Sequence, residues 1–352
     1  MIREHRPVTV NLLTGFLGSG KTSLLKRLLC QPSLEDTAVL INEFGEVGLD
    51  HLLIEEVDQD VVLLKSGCVC CTVRGDLRDG LDRLFGRMLR GEVPRFSRVV
   101  IETTGLADPV PIVASFSADP ALRYHFQLGN VVTVIDAVNG MANLARHPEA
   151  LKQVALADRL VVSKTDLVGP EEVAALCRRL AALNPTAAIH RSSEDEPAPA
   201  SLLLDDVHDP ARKGEEVRRW LAAAEREALH DDHRHHHDDS IATFCLSTDE
   251  PLDWAPFGLW LSMLLNRHGS EILRLKGLLW VEGVDRPVVV QGVQHLVHKP
   301  VHLDAWPDGK PVTRLVVIGR GLDRAAILRS FRAFNRLGRS AAGAAYSAAT
   351  AD

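Results

Sequence analysis

The sequence has 352 residues, and its 47 Asp and Glu residues outnumber its 40 Lys and Arg residues, giving a formal net charge of −7. This length, with 46% hydrophobic and 25% charged residues, predicts two or three globular domains. Because the charge balance is acidic and no apolar run approaches the roughly 18 residues of a membrane span, we expect neither nucleic acid nor membrane as a partner. No secretory leader is recognisable, so the expected compartment is the cytoplasm.

Strand-like and helical segments alternate in the first half of the chain, which predicts an α/β fold with a doubly wound, mostly parallel sheet. The strand-like segments are continuous apolar runs, as expected for strands buried on both faces. The predicted strands are Val8–Leu13, Ala38–Ile41, Val61–Leu64, Val99–Glu102, Val131–Asp136, Leu160–Ser163 and Ala187–His190. The predicted helices are Lys21–Leu29, Asp76–Leu89 and Glu171–Leu183.

The second half predicts a different organisation. Residues 193–240 have the composition of a linker, with one helix near Gly214–Leu229 and an acidic, His-rich tract. From residue 241 strands and helices segregate, which predicts a smaller α+β domain over 241–335 after a first domain over 7–192. Its predicted strands are Ile241–Leu246, Leu273–Val281, Pro287–Gln291 and Thr313–Ile318, and its predicted helices are Trp254–Leu265 and Arg324–Phe331. Residues 336–352 are predicted to be a disordered tail.

A phosphate-binding loop is the strongest motif in the chain. The segment Gly15–Thr22 fits G-x-x-x-x-G-K-[ST] and lies between a predicted strand and a predicted helix, a context that a chance Gly-rich turn would not supply. Lys21 would contact the β- and γ-phosphates, and the Thr22 hydroxyl would bind Mg²⁺. The candidate nucleotide-binding residues of this loop are Gly15, Gly18, Ser19, Gly20, Lys21, Thr22 and Ser23.

Two acids at predicted strand ends compete for the place beside Mg²⁺ and the attacking water. Glu102 has the better context, because the backbone N–H of Gly105 three residues later could contact a γ-phosphate. Asp136 is expected more often to cap the turn that follows it. We therefore interpret Lys21, Thr22 and Glu102 as the catalytic set.

The segment Ser163–Asp166 resembles the N-K-x-D signature of guanine recognition, with Ser in the place of Asn. The Asp166 carboxylate can accept hydrogen bonds from both N1–H and the exocyclic amine of guanine, whereas adenine offers no such pair of donors. The stem of Lys164 would lie along the base. This interpretation depends on the position of the segment at a strand end downstream of the phosphate loop.

Three of the six cysteines, Cys68, Cys70 and Cys71, fall within four residues. Sparse cysteine excludes a disulfide scaffold, and neighbouring thiols fit a disulfide poorly, so the cluster indicates a metal site, most commonly zinc with copper(I) as another choice. Three sulfurs leave an open position, which suits metal transfer. The cluster could instead be buried and inert, or form a redox pair.

Two further segments carry weaker signals. The acids Glu43, Glu46 and Asp50 follow a predicted strand where a first switch loop would lie, and by themselves they are more often solvated loop acids. The tract His230–His237 is either a solvated segment or a loosely held metal reservoir, and imidazoles do not choose among zinc, nickel, cobalt and copper.

Together these motifs resemble those of the CobW-like metallochaperone GTPases, and the later segments resemble the CobW C-terminal domain, including that of YjiA-like members. The resemblance covers nearly the whole chain except the linker and the tail. The strings that carry it are LLTGFLGSGKTSLL, INEFGEVGLD, LKSGCVCCTVRGDL, VVIETTGLADP, SKTD, LRLKGLLWVEG and VVVQGVQ.

The resemblance implies GTP hydrolysis with Mg²⁺, coupled to delivery of a metal, most often zinc, to a client metalloprotein. It implies that the three clustered cysteines bind the metal, and it raises Glu43 and Glu46 to candidate switch or metal residues. Cobalt or another metal, and a metal-storage or sensing protein with weak GTPase activity, stay open. So do an ATP-dependent kinase or synthetase with a structural zinc and a metal-independent interaction module. The client and the oligomeric state do not follow from the sequence.

Overall fold

The computed structural model describes residues 7–42, 54–58, 61–64, 69–72, 77–192, 200–204, 217–218, 241–307 and 309–349. Only the backbone is described for residue 42, for the strands within 54–72, and for residues 117–118 and 337–349. The chain divides into two compact units, residues 1–181 with 187–208 and residues 182–186 with 209–352. The predicted helix Gly214–Leu229, apart from residues 217–218, and the predicted His-rich tract lie outside the described residues.

Within the described residues, a nine-stranded sheet forms the centre of the first unit, in the order β3-β4-β5-β2-β6-β1-β7-β8-β9. All pairings from β5 to β9 in that order are parallel, and β3 and β4 add antiparallel strands at one edge. The strands are β1 (Val8–Gly15), β2 (Thr37–Asn42), β3 (Ile54–Asp58), β4 (Val61–Leu64), β5 (Val69–Thr72), β6 (Arg98–Thr103), β7 (Phe126–Asp136), β8 (Arg159–Ser163) and β9 (Ala188–Arg191). The predicted α/β fold class is therefore confirmed.

Most helices of this unit connect the parallel strands, and a short last helix follows the last of these strands. The helices are α1 (Lys21–Leu29), α2 (Leu77–Leu89), α3 (Val110–Ala118), α4 (Pro120–His125), α5 (Gly140–Arg146), α6 (Pro148–Leu156), α7 (Pro170–Leu183) and α8 (Ser201–Leu204). The helices from α3 to α6 were not predicted, because pieces of six to nine residues are too short to show a helical apolar period. The leucines of α1 and the inner residues of β1, β2 and β7 are buried together in the core.

The sheet brings the functional motifs to one edge. The parallel strands β1, β6, β7 and β8 all run toward this edge, and each is followed there by one of the predicted motif segments. Ligands of open α/β sheets bind in the crevice outside the carboxyl ends of such strands. The candidate site therefore lies where the fold class predicts it.

Over residues 241–307 and 309–349, the second unit contains an antiparallel sheet with two helices. Within the described residues its order is β10-β15-β11-β12-β13, and β14 pairs with β12. Phe257, Trp260 and Phe331 pack together in its core, where the indole N–H of Trp260 donates to the Ser330 hydroxyl at 3.0 Å. The elements are β10 (Ile241–Thr248), α9 (Trp254–His268), β11 (Ile272–Leu279), β12 (Val288–Val293), β13 (Leu296–Val297), β14 (Val301–His302), β15 (Thr313–Arg320) and α10 (Arg324–Ala349).

The last helix corrects two expectations. The sequence predicts that it ends at Phe331 and that residues 336–352 are disordered, whereas the backbone continues as α10 to Ala349. Alanine has the highest helix propensity, and six of the residues from 341 to 349 are Ala, so the run continues the helix.

Among the described residues, no helix is both long and apolar enough to cross a membrane.

Two buried amides attach α8 to the central sheet. The side chain of Asn11 on β1 accepts a hydrogen bond from the backbone N–H of Asn130 on β7 at 2.8 Å. The Asn130 amide donates to the carbonyl oxygen of Leu202 at 2.9 Å, and the Asn11 amide lies 3.4 Å from that of Leu203. Because both asparagines are fully buried, these bonds satisfy backbone oxygens that water does not reach.

Replacing Asn130 should destabilise the first unit. Asn130→Ala leaves the buried Leu202 oxygen without this donor, so we expect the free energy of unfolding to fall by about 1–3 kcal/mol. Gln127→Ala on the same strand is the matched control, because it removes an exposed hydrogen bond to Thr9 and should cost less than about 0.5 kcal/mol. Denaturant unfolding measures both changes, and equal losses would contradict a stabilising role for the buried amide.

Candidate nucleotide-binding site

The phosphate loop curls through three glycines with left-handed backbone angles. Their φ values are 142° at Gly15, 69° at Gly18 and 90° at Gly20. A Cβ at Gly15 would lie 2.3 Å from the carbonyl oxygen of Val134 on β7, so only glycine fits there. No side-chain hydrogen bond caps the N-terminus of α1 at Gly20. A helix N-terminus of this kind favours an anion such as phosphate.

Lys21 lies inside this loop. Its ammonium donates hydrogen bonds to the carbonyl oxygens of Gly15 at 2.9 Å and Phe16 at 3.2 Å, and the side chain is buried. The two bonds hold a positive charge beside the backbone that would surround the phosphates. In the same loop Ser19 is buried, while Ser23 is exposed on α1.

Thr22 and Glu102 meet at the mouth of the loop. The Thr22 hydroxyl donates to Oε1 of Glu102 at 2.6 Å, and Glu102 is 6% exposed at the end of β6. A hydroxyl and a carboxylate are the oxygen ligands that Mg²⁺ takes beside phosphates, so this pair fits the ion. Of the two strand-end acids, Glu102 is the one hydrogen-bonded to Thr22.

Asp136 has other partners. Its carboxylate is 3% exposed and accepts hydrogen bonds from Val138 N at 2.7 Å, from the Asn139 amide at 3.1 Å and from the Lys164 ammonium at 2.9 Å. Burial raises the pKa of this carboxyl, but the hydrogen bonds from Lys164, Asn139 and Val138 outweigh burial and hold the pKa below its usual value of 3.8. Asp136 thus caps the turn after β7 and binds Lys164.

The Ser163–Asp166 segment is bonded directly to the phosphate loop. The Ser163 hydroxyl is 2.6 Å from the carbonyl oxygen of Ser19, and the Lys164 ammonium donates to that of Gly18 at 2.8 Å. These contacts were not predicted, and they show that the Ser at the first position still connects the segment to the loop. The Asp166 side chain is exposed in the short turn Thr165–Leu167.

Gly105 lies against the phosphate loop. A Cβ at this position would be 2.5 Å from N and 2.6 Å from Cα of Leu17, so a side chain would force two backbones apart. The carbonyl oxygen of Gly105 accepts a hydrogen bond from the Gln153 amide at 3.2 Å. No sequence signal marks Gln153, because the carbonyl oxygens that it binds are distant in sequence.

The predicted metal-binding residues are only partly described. Cys68, Glu43 and Glu46 lie outside the described residues, and Cys70 and Cys71 are described as backbone on β5. Within the described side chains, no group of three or more His, Cys, Asp and Glu could hold a metal ion.

The strand register relates the cysteine motif to the acid at the end of β6. Thr72, which follows Cys71, pairs with Ile41 of β2, and Ile41 pairs with Glu102 of β6. Adjacent strands are about 4.8 Å apart, so the end of the cysteine motif and Glu102 lie about 10 Å apart in one sheet.

Residues 9–191 match the family described as CobW/HypB/UreG, nucleotide-binding domain. The chain belongs to this family. Residues 241–335 match the cobalamin synthesis protein cobW C-terminal domain. The predicted resemblance is therefore confirmed, and the chain is a P-loop GTPase of the CobW/HypB/UreG family.

Relatives match along nearly the whole chain. The zinc chaperone YjiA of Escherichia coli is 32% identical over 92% of this chain and 98% of the relative. The zinc chaperone CobW of Pseudomonas aeruginosa is 31% identical over 93% of this chain and 90% of the relative. The crystal structure of Zn(II)-bound YjiA GTPase from E. coli matches with a TM-score of 0.72 and 31% identity, covering 94% of this chain and 99% of that chain. This CobW-like chain therefore shares its fold with that structure.

The ion pair between Lys164 and Asp136 should make stability depend on pH. Because the folded-state pKa of Asp136 is depressed, its contribution is present above the usual value of 3.8 and is lost as the pH falls through the folded value. We expect Asp136→Asn to lower the free energy of unfolding by about 1–3 kcal/mol at pH 7, with the difference shrinking below about pH 4.

Unfolding midpoints measured from pH 7 to pH 3 test this expectation. Asp285→Asn, at an exposed position of the second unit, is the control and should follow the wild-type curve. A constant difference between Asp136→Asn and the wild type across this range would contradict the stabilising role of the ion pair.

Proposed function

We propose that this CobW-like chain is a metallochaperone that binds zinc through Cys68, Cys70 and Cys71 and transfers it to a client metalloprotein when GTP is hydrolysed. Two relatives of similar length are named zinc chaperones, and both match more than nine-tenths of this chain. Three clustered cysteine sulfurs suit zinc, and an open fourth position suits transfer. Glu43 and Glu46 are further candidate ligands or switch residues.

The geometry at the sheet edge supports the proposed nucleotide roles. Lys21 would contact the β- and γ-phosphates, Thr22 and Glu102 would hold Mg²⁺, and Gly105 would donate its N–H to the γ-phosphate. Bound Mg²⁺ would supply positive charge that stabilises the phosphates during hydrolysis. Glu102 keeps the Thr22 hydroxyl oriented through the 2.6 Å hydrogen bond.

The guanine base would be recognised by Asp166, with Lys164 beside it. The Lys164 ammonium is held by Gly18 and Asp136, which supports a fixed position for the base relative to the phosphates. The nucleotide-binding residues of the loop are proposed as Gly15, Gly18, Ser19, Gly20, Lys21, Thr22 and Ser23.

The single observation that carries the coupling proposal is the strand register from Thr72 through Ile41 to Glu102. In this register β5, which carries Cys70 and Cys71, and β6, which carries Glu102, both pair with β2. Binding of GTP at Glu102 would therefore change the surroundings of a metal on the neighbouring strands. We infer that the GTP-bound state holds zinc and that hydrolysis loosens the site, as in other nucleotide-dependent order–disorder switches.

The domain boundaries, the domain that binds the client, the compartment and the choice of metal are also part of this proposal. We propose domains over residues 7–192 and 241–335, with a linker over 193–240, and we place the client on the C-terminal domain. The cytoplasm is the proposed compartment, since thiols stay reduced there. A cobalt chaperone is the alternative that the same thiolates would allow.

Base selectivity tests the guanine assignment. Asp166→Asn replaces one acceptor with a donor, so GTP should bind at least about a hundredfold more weakly and xanthosine triphosphate should bind better than GTP. Competition against a fluorescent GTP analogue measures both affinities, with ATP as the reference nucleotide. Wild-type affinity for GTP in the variant would contradict the assignment, and tight ATP binding by the wild type would favour a kinase or synthetase.

Zinc affinity tests the coupling. A non-hydrolysable GTP analogue and GDP should give zinc affinities that differ by at least about fivefold, and zinc should change GTP affinity by the same factor, because linkage is reciprocal. Zinc competition titrations under reducing conditions measure this. Cys70→Ser should abolish the bound metal, while Cys30→Ser, at an exposed thiol outside the motif, should keep it. Equal zinc affinities in both nucleotide states would overturn the coupling and leave a storage protein.

A further inference from the structure

The segment Thr104–Pro109, called the Gly105 loop from here on, connects β6 to α3 and is enclosed on two sides. On one side Gly105 contacts the backbone of Leu17 in the phosphate loop. On the other side lies α6, which also approaches the phosphate loop where His147 stacks on Phe16 with ring centroids 4.5 Å apart. The Gly105 loop is thus placed between the phosphate loop and one helix.

One side chain of α6, that of Gln153, is hydrogen-bonded to the backbone of the Gly105 loop. The Gln153 amide donates hydrogen bonds to the carbonyl oxygens of Gly105 at 3.2 Å and Ala107 at 3.1 Å. Gln153 is only 1% exposed, so water does not compete for these bonds. Within the loop, the backbone N–H of Ala107 donates to the carbonyl oxygen of Thr104 at 3.1 Å, and this bond closes a turn. The bonds therefore fix the orientation of successive peptide units.

Gln153 is itself fixed by the sheet. The hydroxyl of Thr133 on β7, which is buried, donates to the backbone oxygen of Gln153 at 2.8 Å. The neighbouring Lys152 forms an ion pair of 2.8 Å with Asp108 of the Gly105 loop, and these side chains are 36% and 33% exposed. Exposed ion pairs contribute little, so the buried amide is the main attachment.

We propose that Gln153 is a positioning residue that holds the N–H of Gly105 ready for the γ-phosphate of GTP. The proposal rests on the proposed role of Gly105 in nucleotide binding. GDP lacks the γ-phosphate. Releasing the Gly105 loop from Gln153 should therefore weaken the binding of GTP and leave the binding of GDP unchanged. Because its amide is engaged with two carbonyl oxygens of the loop, Gln153 is assigned a positioning role and no contact with the nucleotide.

The experiment compares two affinities in one variant. Gln153→Leu removes both donors at similar volume, so affinity for a non-hydrolysable GTP analogue should fall about tenfold while affinity for GDP stays within about twofold. The kcat of GTP hydrolysis should fall by a similar factor, because the loop follows Glu102. Gln153→Met keeps the length of the side chain and removes the amide donors without burying a charge, so it gives the same readout if Gln153→Leu does not fold.

Asn130→Ala is the matched control. It deletes a buried amide hydrogen bond to the backbone oxygen of Leu202 and leaves both bonds from Gln153 to the Gly105 loop, so its ratio of GTP to GDP affinity should stay at the wild-type value. Equal loss of both affinities in the folded Gln153 variant, or an unchanged ratio, would overturn the proposal. The wild-type protein tests the proposed function separately, since failure of wild type to bind GTP contradicts that function whatever the Gln153 variants do.

Discussion

The Lys164 ammonium lies between the carbonyl oxygen of Gly18 and the carboxylate of Asp136, at 2.8 and 2.9 Å. With these two bonds a single charge joins the ends of β7 and β8 to the phosphate loop. The neighbouring Ser163 hydroxyl adds a second attachment to the loop at Ser19. The three elements that would contact phosphate and base therefore form one connected unit, and the position of Asp166 depends on it.

This connection explains why two strand-end acids of similar sequence context have different hydrogen-bond partners. Glu102 lies near the end of β6 and is hydrogen-bonded to Thr22, where a divalent ion would be needed. Asp136 is the last residue of β7, and its carboxylate is bonded to Val138, Asn139 and Lys164. One acid is hydrogen-bonded to the first turn of α1, and the other holds the segment that we propose to recognise the base.

Much of this arrangement was predictable because it depends on local patterns. Apolar runs predict β1, β6, β7 and β8, and the glycine spacing predicts the phosphate loop that follows β1. The contacts of Ser163 and Gln153 were not predictable, because each bonds to backbone atoms from which it is distant in sequence. Short helices such as α6 were missed for want of a measurable period. The extent of α10 was missed because an Ala-rich end was interpreted as a frayed tail rather than as a continuing helix.

The central position of β2 has a consequence for chain length. Ile41 pairs with Thr72 on one side and with Glu102 on the other, so a residue inserted within β2 would shift both pairings together. A one-residue shift reverses the face to which every side chain of the strand points, and buried strands do not tolerate that change. The strand β2 must therefore keep its number of residues if β5 and β6 are both to stay in register with it.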